Sequence, residues 1–147
     1  MEDIKMSTKV RIRAIILVDG KLLCVRHKQG DTYVALPGGH LEFGEDIYSA
    51  MKRELVEELG VTPKLGRLLY IYNWNNGTTQ NIEFFIEVTN GEVYRDISTL
   101  YGTHSFELSE IILADKSSVT ELLPKEIGKR FIDGDLLTDI PQFLYQA

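Results

Sequence analysis

The stretch Gly39–Val61 reads GHLEFGEDIYSAMKRELVEELGV, and its reading decides the fold. Ile47, Met51, Leu55 and Leu59 recur every four positions, the spacing of one face of a helix. Gly60 stands just past the last of them, where a helix takes its left-handed C-terminal cap. A helix over 45–59 is therefore expected. Glu54, Glu57 and Glu58 fall at i, i+3 and i+4, so they span only about 100° of its surface. Glu54 and Glu58 each precede a residue of the apolar row, which sets these acids at the rim of the buried face. Like charges four apart repel by a few tenths of a kcal/mol in an isolated helix. A divalent cation reverses that sign, and oxygen ligands are what magnesium and manganese prefer. Arg53 is placed to pair with Glu57 four residues on.

The flanks of this helix read as strands. Val10 to Val18 is β-branched and apolar, Asp19-Gly20 turns, and Lys21 to Arg26 is apolar again, a hairpin signature. A short strand is expected at Tyr33 to Leu36, ended by a loop at Pro37-Gly38-Gly39. Beyond the helix, Leu65 to Trp74 and Thr78 to Val88 are two β-rich stretches around Asn75-Asn76-Gly77, a hairpin turn. Phe106 to Leu108 suggests another short strand, and Ser118 to Phe131 a second helix bent or restarted at Pro124. The order β-β-β-α-β-β-β-α implies an α/β fold with a mixed sheet packed between helices.

Length and composition agree with one domain. The 147 residues leave room for one core, and 44% hydrophobic with 26% charged residues excludes disordered and low-complexity classes. The expectation is a single domain over 1–147 with a flexible start at 1–8. No apolar run is long enough to span a membrane, and Met1 to Lys9 lacks the apolar core of a signal peptide, so a cytoplasmic location is expected. The net charge of -6 offers no basic field to nucleic acid in bulk. A divalent metal could still join acidic side chains to a phosphate-bearing small molecule. The single cysteine, Cys24, lies in the apolar run Leu22 to Val25 and reads as a small buried residue rather than a catalytic thiol.

The spacing inside 39–61 carries a resemblance. A glycine, Gly39, is followed after five residues by Glu45, then after seven by Arg53-Glu54-Leu55-Val56-Glu57-Glu58-Leu59-Gly60-Val61. This resembles the Nudix box of the Nudix hydrolase family, complete at every defining position. Chance alone would produce it on the order of once in a hundred thousand sequences. The resemblance implies a Nudix-type α/β/α sandwich. It also implies a hydrolase that uses Mg2+, or Mn2+ in its place, to split a pyrophosphate bond in a nucleoside diphosphate linked to another moiety. By the same resemblance Glu57 and Glu58 would be the main metal ligands, with the Gly38 carbonyl and Glu54 as further ones. Glu54 would alternatively be the base acting on water, and Arg53 would orient the glutamates. Glu45, nine residues before Glu54, would shape the loop and helix start, with a possible secondary metal contact.

Outside the box the candidates are more numerous. Glu83, Glu87, Asp96, Glu107 and Glu110 could each supply a further acid, and His104 a base or phosphate donor. Arg26, His27 and Lys28 could meet substrate phosphates. Tyr72 and Trp74, two apart on a strand, could face one side as a base-stacking platform or as core cover. The proline about 15 residues past the box that marks relatives acting on ADP-ribose, and the tyrosine near that offset in those acting on dinucleoside polyphosphates, are absent. Nor is the upstream motif linked to coenzyme A hydrolysis matched in full. A nucleoside triphosphate pyrophosphohydrolase and a non-catalytic nucleotide sensor are the alternatives. The partner is a small nucleotide derivative in each case, and the chain would be a monomer or homodimer.

Overall fold

The computed structural model describes residues 6–28, 33–119 and 121–146. Seven strands and two helices follow in the order β1 (Ser7–Val18), β2 (Lys21–His27), β3 (Gly38–His40), α1 (Ile47–Leu59), β4 (Leu65–Asn75), β5 (Thr79–Val88), β6 (Leu108–Ala114), α2 (Lys125–Asp133) and β7 (Gln142–Tyr145). The sheet runs β6-β2-β1-β5-β4-β7, with β3 also paired to β1. It is mixed: β1 is parallel to β5 and β4 to β7, while the other pairs are antiparallel.

Alternation on β1 sorts the two faces of the sheet. Ile12, Ala14, Ile16 and Val18 join Met51, Leu55 and Leu59 of α1 in one core. Ile15 points the other way and packs with Tyr70, Phe85 and, on α2, Ile127 and Phe131 in a second core. The sheet thus lies between the two helices as an α/β/α sandwich. Helix α1 buries the apolar row that predicted it, and begins at Ile47, two residues later than expected. Asp46 caps its start by accepting from Ser49 N at 2.8 Å.

Four expectations are corrected. Between Tyr33 and Leu36 only isolated bridges form, at Val34 and Ala35, and the third strand lies at Gly38–His40, where a loop was expected. Gly38 permits this, because a Cβ there would sit 1.9 Å from the carbonyl oxygen of Ile12. The strand expected at Phe106 to Leu108 begins only at Leu108 and continues to Ala114, because Ile111 and Ile112 pair with Val25 and Cys24 of β2. A 3-10 turn occupies Ser105–Glu107 instead. The second helix spans only Lys125–Asp133, with Pro124 at its N-cap, because Asp115 holds Ser117 and Ser118 in a turn. Ser7 and Thr8, placed in a flexible start, pair with Thr79 and Gln80; residues 1–5 of that start lie outside the described residues.

Candidate active site

The three glutamates of α1 open into a cleft of about 1120 Å³. Its floor is the α2-side face of β1, β5 and β4, bearing Arg11, Arg13, Glu83, Phe85, Tyr72 and Trp74. The carboxylate wall is set by two neighbouring glycines. A side chain at Gly39 would meet the Glu54 carboxylate at 2.5 to 2.7 Å, so the missing Cβ is what lets that carboxylate lie against β3. The N–H of Gly38 donates to Glu58 Oε2 at 3.4 Å.

Arg53 fixes the remaining geometry. Its Nε and Nη2 donate to the two oxygens of Glu45 at 2.7 and 2.9 Å. Its Nη1 bridges Glu54 Oε1 at 3.0 Å and Glu57 Oε2 at 3.1 Å. A forked, charge-assisted arrangement of this kind is directional, so one guanidinium sets the position of three carboxylates. His104 Nδ1 stands 3.1 Å from the same Glu57 oxygen, and its backbone N–H donates to Glu57 O at 2.7 Å.

The carboxylates differ in environment. Glu58 is only 2% exposed; burial, with the nearby charge of Glu54, pushes its carboxyl up to about 8. Burial also raises Glu54, opposed by the bond from Arg53. Glu45 is held low by that same arginine.

The structure separates the other candidates. Glu83 and Glu107 line the cleft, as do His27, Lys28 and His104. Glu87 is taken by Arg67 at 3.2 Å, and Asp96 caps a turn through Ser98. Arg26 is not brought to the cleft: its guanidinium meets Glu121 at 2.7 Å and Glu110 at 3.5 Å. Tyr72 and Trp74 do face the same side and stack, with centroids 6.5 Å apart. Trp74 Nε1 donates to Glu83 Oε2 at 2.6 Å, and Arg13 Nε donates to Glu83 Oε1 at 3.1 Å. Tyr72 is also part of the core, so it serves as wall and packing at once. Sequence reasoning missed Arg11 and Arg13, whose signal was their alternation with Ile12 and Ala14.

A family model of the NUDIX domain matches residues 8–113, from β1 into β6. The chain belongs to the NUDIX family. An ADP-ribose pyrophosphatase from Methanocaldococcus jannaschii is 36% identical to this Nudix chain over 90 residues, covering 57% of the chain and 53% of that protein. The chain thus spans about half the length of this relative. Among solved structures, a MutT protein from Methanosarcina mazei Go1 superposes with a TM-score of 0.68 at 18% identity, covering 90% of this chain and 99% of that one. An ADP-ribose pyrophosphatase from Streptococcus suis 89-1591 gives 0.63 at 17% identity, covering 94% and 98%. At these identities the likeness shows the shared Nudix fold.

The donor set fits the divalent cation that Nudix hydrolases generally use. Glu54, Glu57 and Glu58 offer only hard oxygens, and the nearly inaccessible Glu58 accepts from the Gly38 N–H and makes no ion pair among the described residues. Among the described residues no three His, Cys, Asp or Glu side chains converge closely enough to hold a metal ion by themselves. The fit is therefore one of ligand chemistry: a cation of this class keeps several water or phosphate oxygens and needs only one or two carboxylates from the protein.

Proposed function

We propose that this chain hydrolyses the pyrophosphate bond of a nucleoside diphosphate linked to another moiety, with Mg2+, or Mn2+ in its place. The observation that supports this best is the shared fixing of Glu45, Glu54 and Glu57 by Arg53 beside the buried Glu58. Arg53, Glu54, Glu57 and Glu58 line one cleft with Arg13 and the Tyr72–Trp74 stack.

Glu57, Glu58 and Glu54 would hold the cation, with Gly38 beside them. When bound, a divalent cation supplies neutralisation of the diphosphate charge and a more acidic water. Glu54, whose proton affinity burial raises, is suited to accept a proton from the attacking water, a contribution of about 10² to 10⁴ in rate. Arg53 keeps Glu54 and Glu57 from drifting apart, and the Tyr72–Trp74 wall offers a stacking surface to a base.

The test is a chromatographic screen of purified protein with Mg2+ and with Mn2+. The panel holds ADP-ribose, nucleotide sugars, dinucleoside polyphosphates and nucleoside triphosphates, with Glu57→Gln run in parallel. ADP-ribose comes first because of the relative that shares 36% identity. Cleavage at the pyrophosphate by the wild type and its loss by at least about 10²-fold in the folded variant is the expected result. A folded Glu57→Gln that keeps near full activity overturns the assignment. Release of inorganic pyrophosphate from triphosphates alone would make the chain a triphosphate pyrophosphohydrolase instead.

A further inference from the structure

Two arginines of β1 make equivalent contacts with chemically different partners. Each reaches diagonally across to β5: Arg13 to Glu83, whose Cα partner is Arg11, and Arg11 to Asn81, whose Cα partner is Lys9. Arg13 therefore meets a carboxylate and is neutralised. Arg11 Nη1 donates to the amide oxygen of Asn81, a residue 1% exposed whose own Nδ2 is committed to Thr79 O at 3.2 Å. Among the described residues no carboxylate oxygen lies within 4.0 Å of the Arg11 guanidinium. Arg11 is half-buried and lines the cleft, so its charge is partly removed from water with no carboxylate bonded to it among the described residues.

Its position is also defined. On β3, Gly38 pairs with Arg13 and His40 with Arg11, so Arg13 stands beside the glutamates. Arg11 lies one two-residue step beyond, roughly 6.7 Å along the strand. Trp74 has Asn81 as its Cα partner, so the uncompensated charge lies toward the aromatic end of the cleft. A guanidinium fork there matches a phosphate or a carboxylate.

We propose that Arg11 is a specificity residue, binding an anionic group that the substrate carries outside its scissile diphosphate. This rests on the hydrolase reading above. A more charged substrate then binds better than its neutral counterpart, and Arg11 is the cause.

Trp74 is the only tryptophan of the chain, so quenching of its fluorescence reads binding in EDTA, with no turnover. Two pairs of compounds serve as probes. UDP-glucose and UDP-glucuronate differ by a carboxylate; ADP-ribose and its 2′-phosphate differ by a phosphate. The wild type is expected to bind the more charged member of at least one pair about tenfold more tightly, and the responding pair names the group. Arg11→Gln retains an N–H for Asn81 but removes the charge, and is expected to bring that ratio near one. Arg11→Lys restores a point charge without the fork and should recover part of it. A wild type without preference in either pair overturns the proposal, as does an Arg11→Gln or, should that variant not fold, an Arg11→Lys with the ratio undiminished. Quenching by none of the four compounds overturns the proposal and leaves the hydrolase reading to the activity screen with Mg2+ and Mn2+, whereas quenching by all with unchanged ratios removes Arg11 alone.

Discussion

The Arg53 guanidinium holds the Glu45 carboxylate through two bonds, although Glu45 precedes the helix and stands eight residues away. Periodicity places Glu45 opposite Glu54 on an ideal helix; leaving the helix is what allows it to meet the same arginine. Glu45→Gln is expected to lower kcat/KM about tenfold while the fold survives, because the loss of one charge-assisted partner loosens Arg53 and, through it, Glu54 and Glu57. Steady-state kinetics alongside circular dichroism check this, and Arg53→Lys, which cannot fork, should cost more than Glu45→Gln.

Gly39 has its place because of Glu54. Gly39→Ala is expected to fold and to lose about 10² in turnover, since the added methyl displaces the Glu54 carboxylate and a misplacement near 1 Å has that cost. Turnover measured with saturating Mg2+ separates this from a mere loss of cation affinity.

Glu58 is buried and makes no ion pair among the described residues. In EDTA, Glu58→Gln is expected to be as stable as the wild type or more so, by about 1 kcal/mol, because a neutral amide is cheaper to bury than a charge. Adding Mg2+ should raise the wild-type melting temperature and leave the variant nearly unchanged, since only the state that binds is stabilised. Thermal melts in the two buffers read both effects.

Burial pushes the Cys24 thiol up to about 12 from an ordinary value near 9. The folded chain therefore keeps the thiol proton over a range in which the unfolded chain loses it. Its contribution to stability is full below about pH 9 and is lost as pH rises toward 12. At pH 8 iodoacetamide should leave native protein unmodified and label it fully in guanidinium, with mass spectrometry as the readout.

The helix, its cap and the Arg53–Glu57 pair were legible because each depends on residues within one or two turns. The hairpin β1–β2 was legible for the same reason. Strand β3 was not, because Gly38 and Gly39 carry no β signal and owe their pairing to the fit against Ile12. Strand β7 escaped too: four residues next to β4 are held by a partner about seventy positions earlier. The acids outside the box could not be sorted locally, since Glu110 and Glu87 were removed by Arg26 and Arg67, each on another strand. Arg11 and Arg13 sat inside a stretch dominated by β-branched residues, and only the face they share with Glu83 gives them meaning.

The parallel pairing of β1 with β5 has a kinetic side. Ten consecutive residues of β1 find partners about seventy positions later, whereas the β1–β2 hairpin contributes only two paired positions. Closing so large a loop precedes any reward from the contact, which puts a chain of this topology among slower folders. During synthesis the strand carrying Arg11 and Arg13 therefore waits for β5 with an edge exposed. A lesion that weakens β5 would reduce the yield of soluble protein before it altered any constant of the reaction.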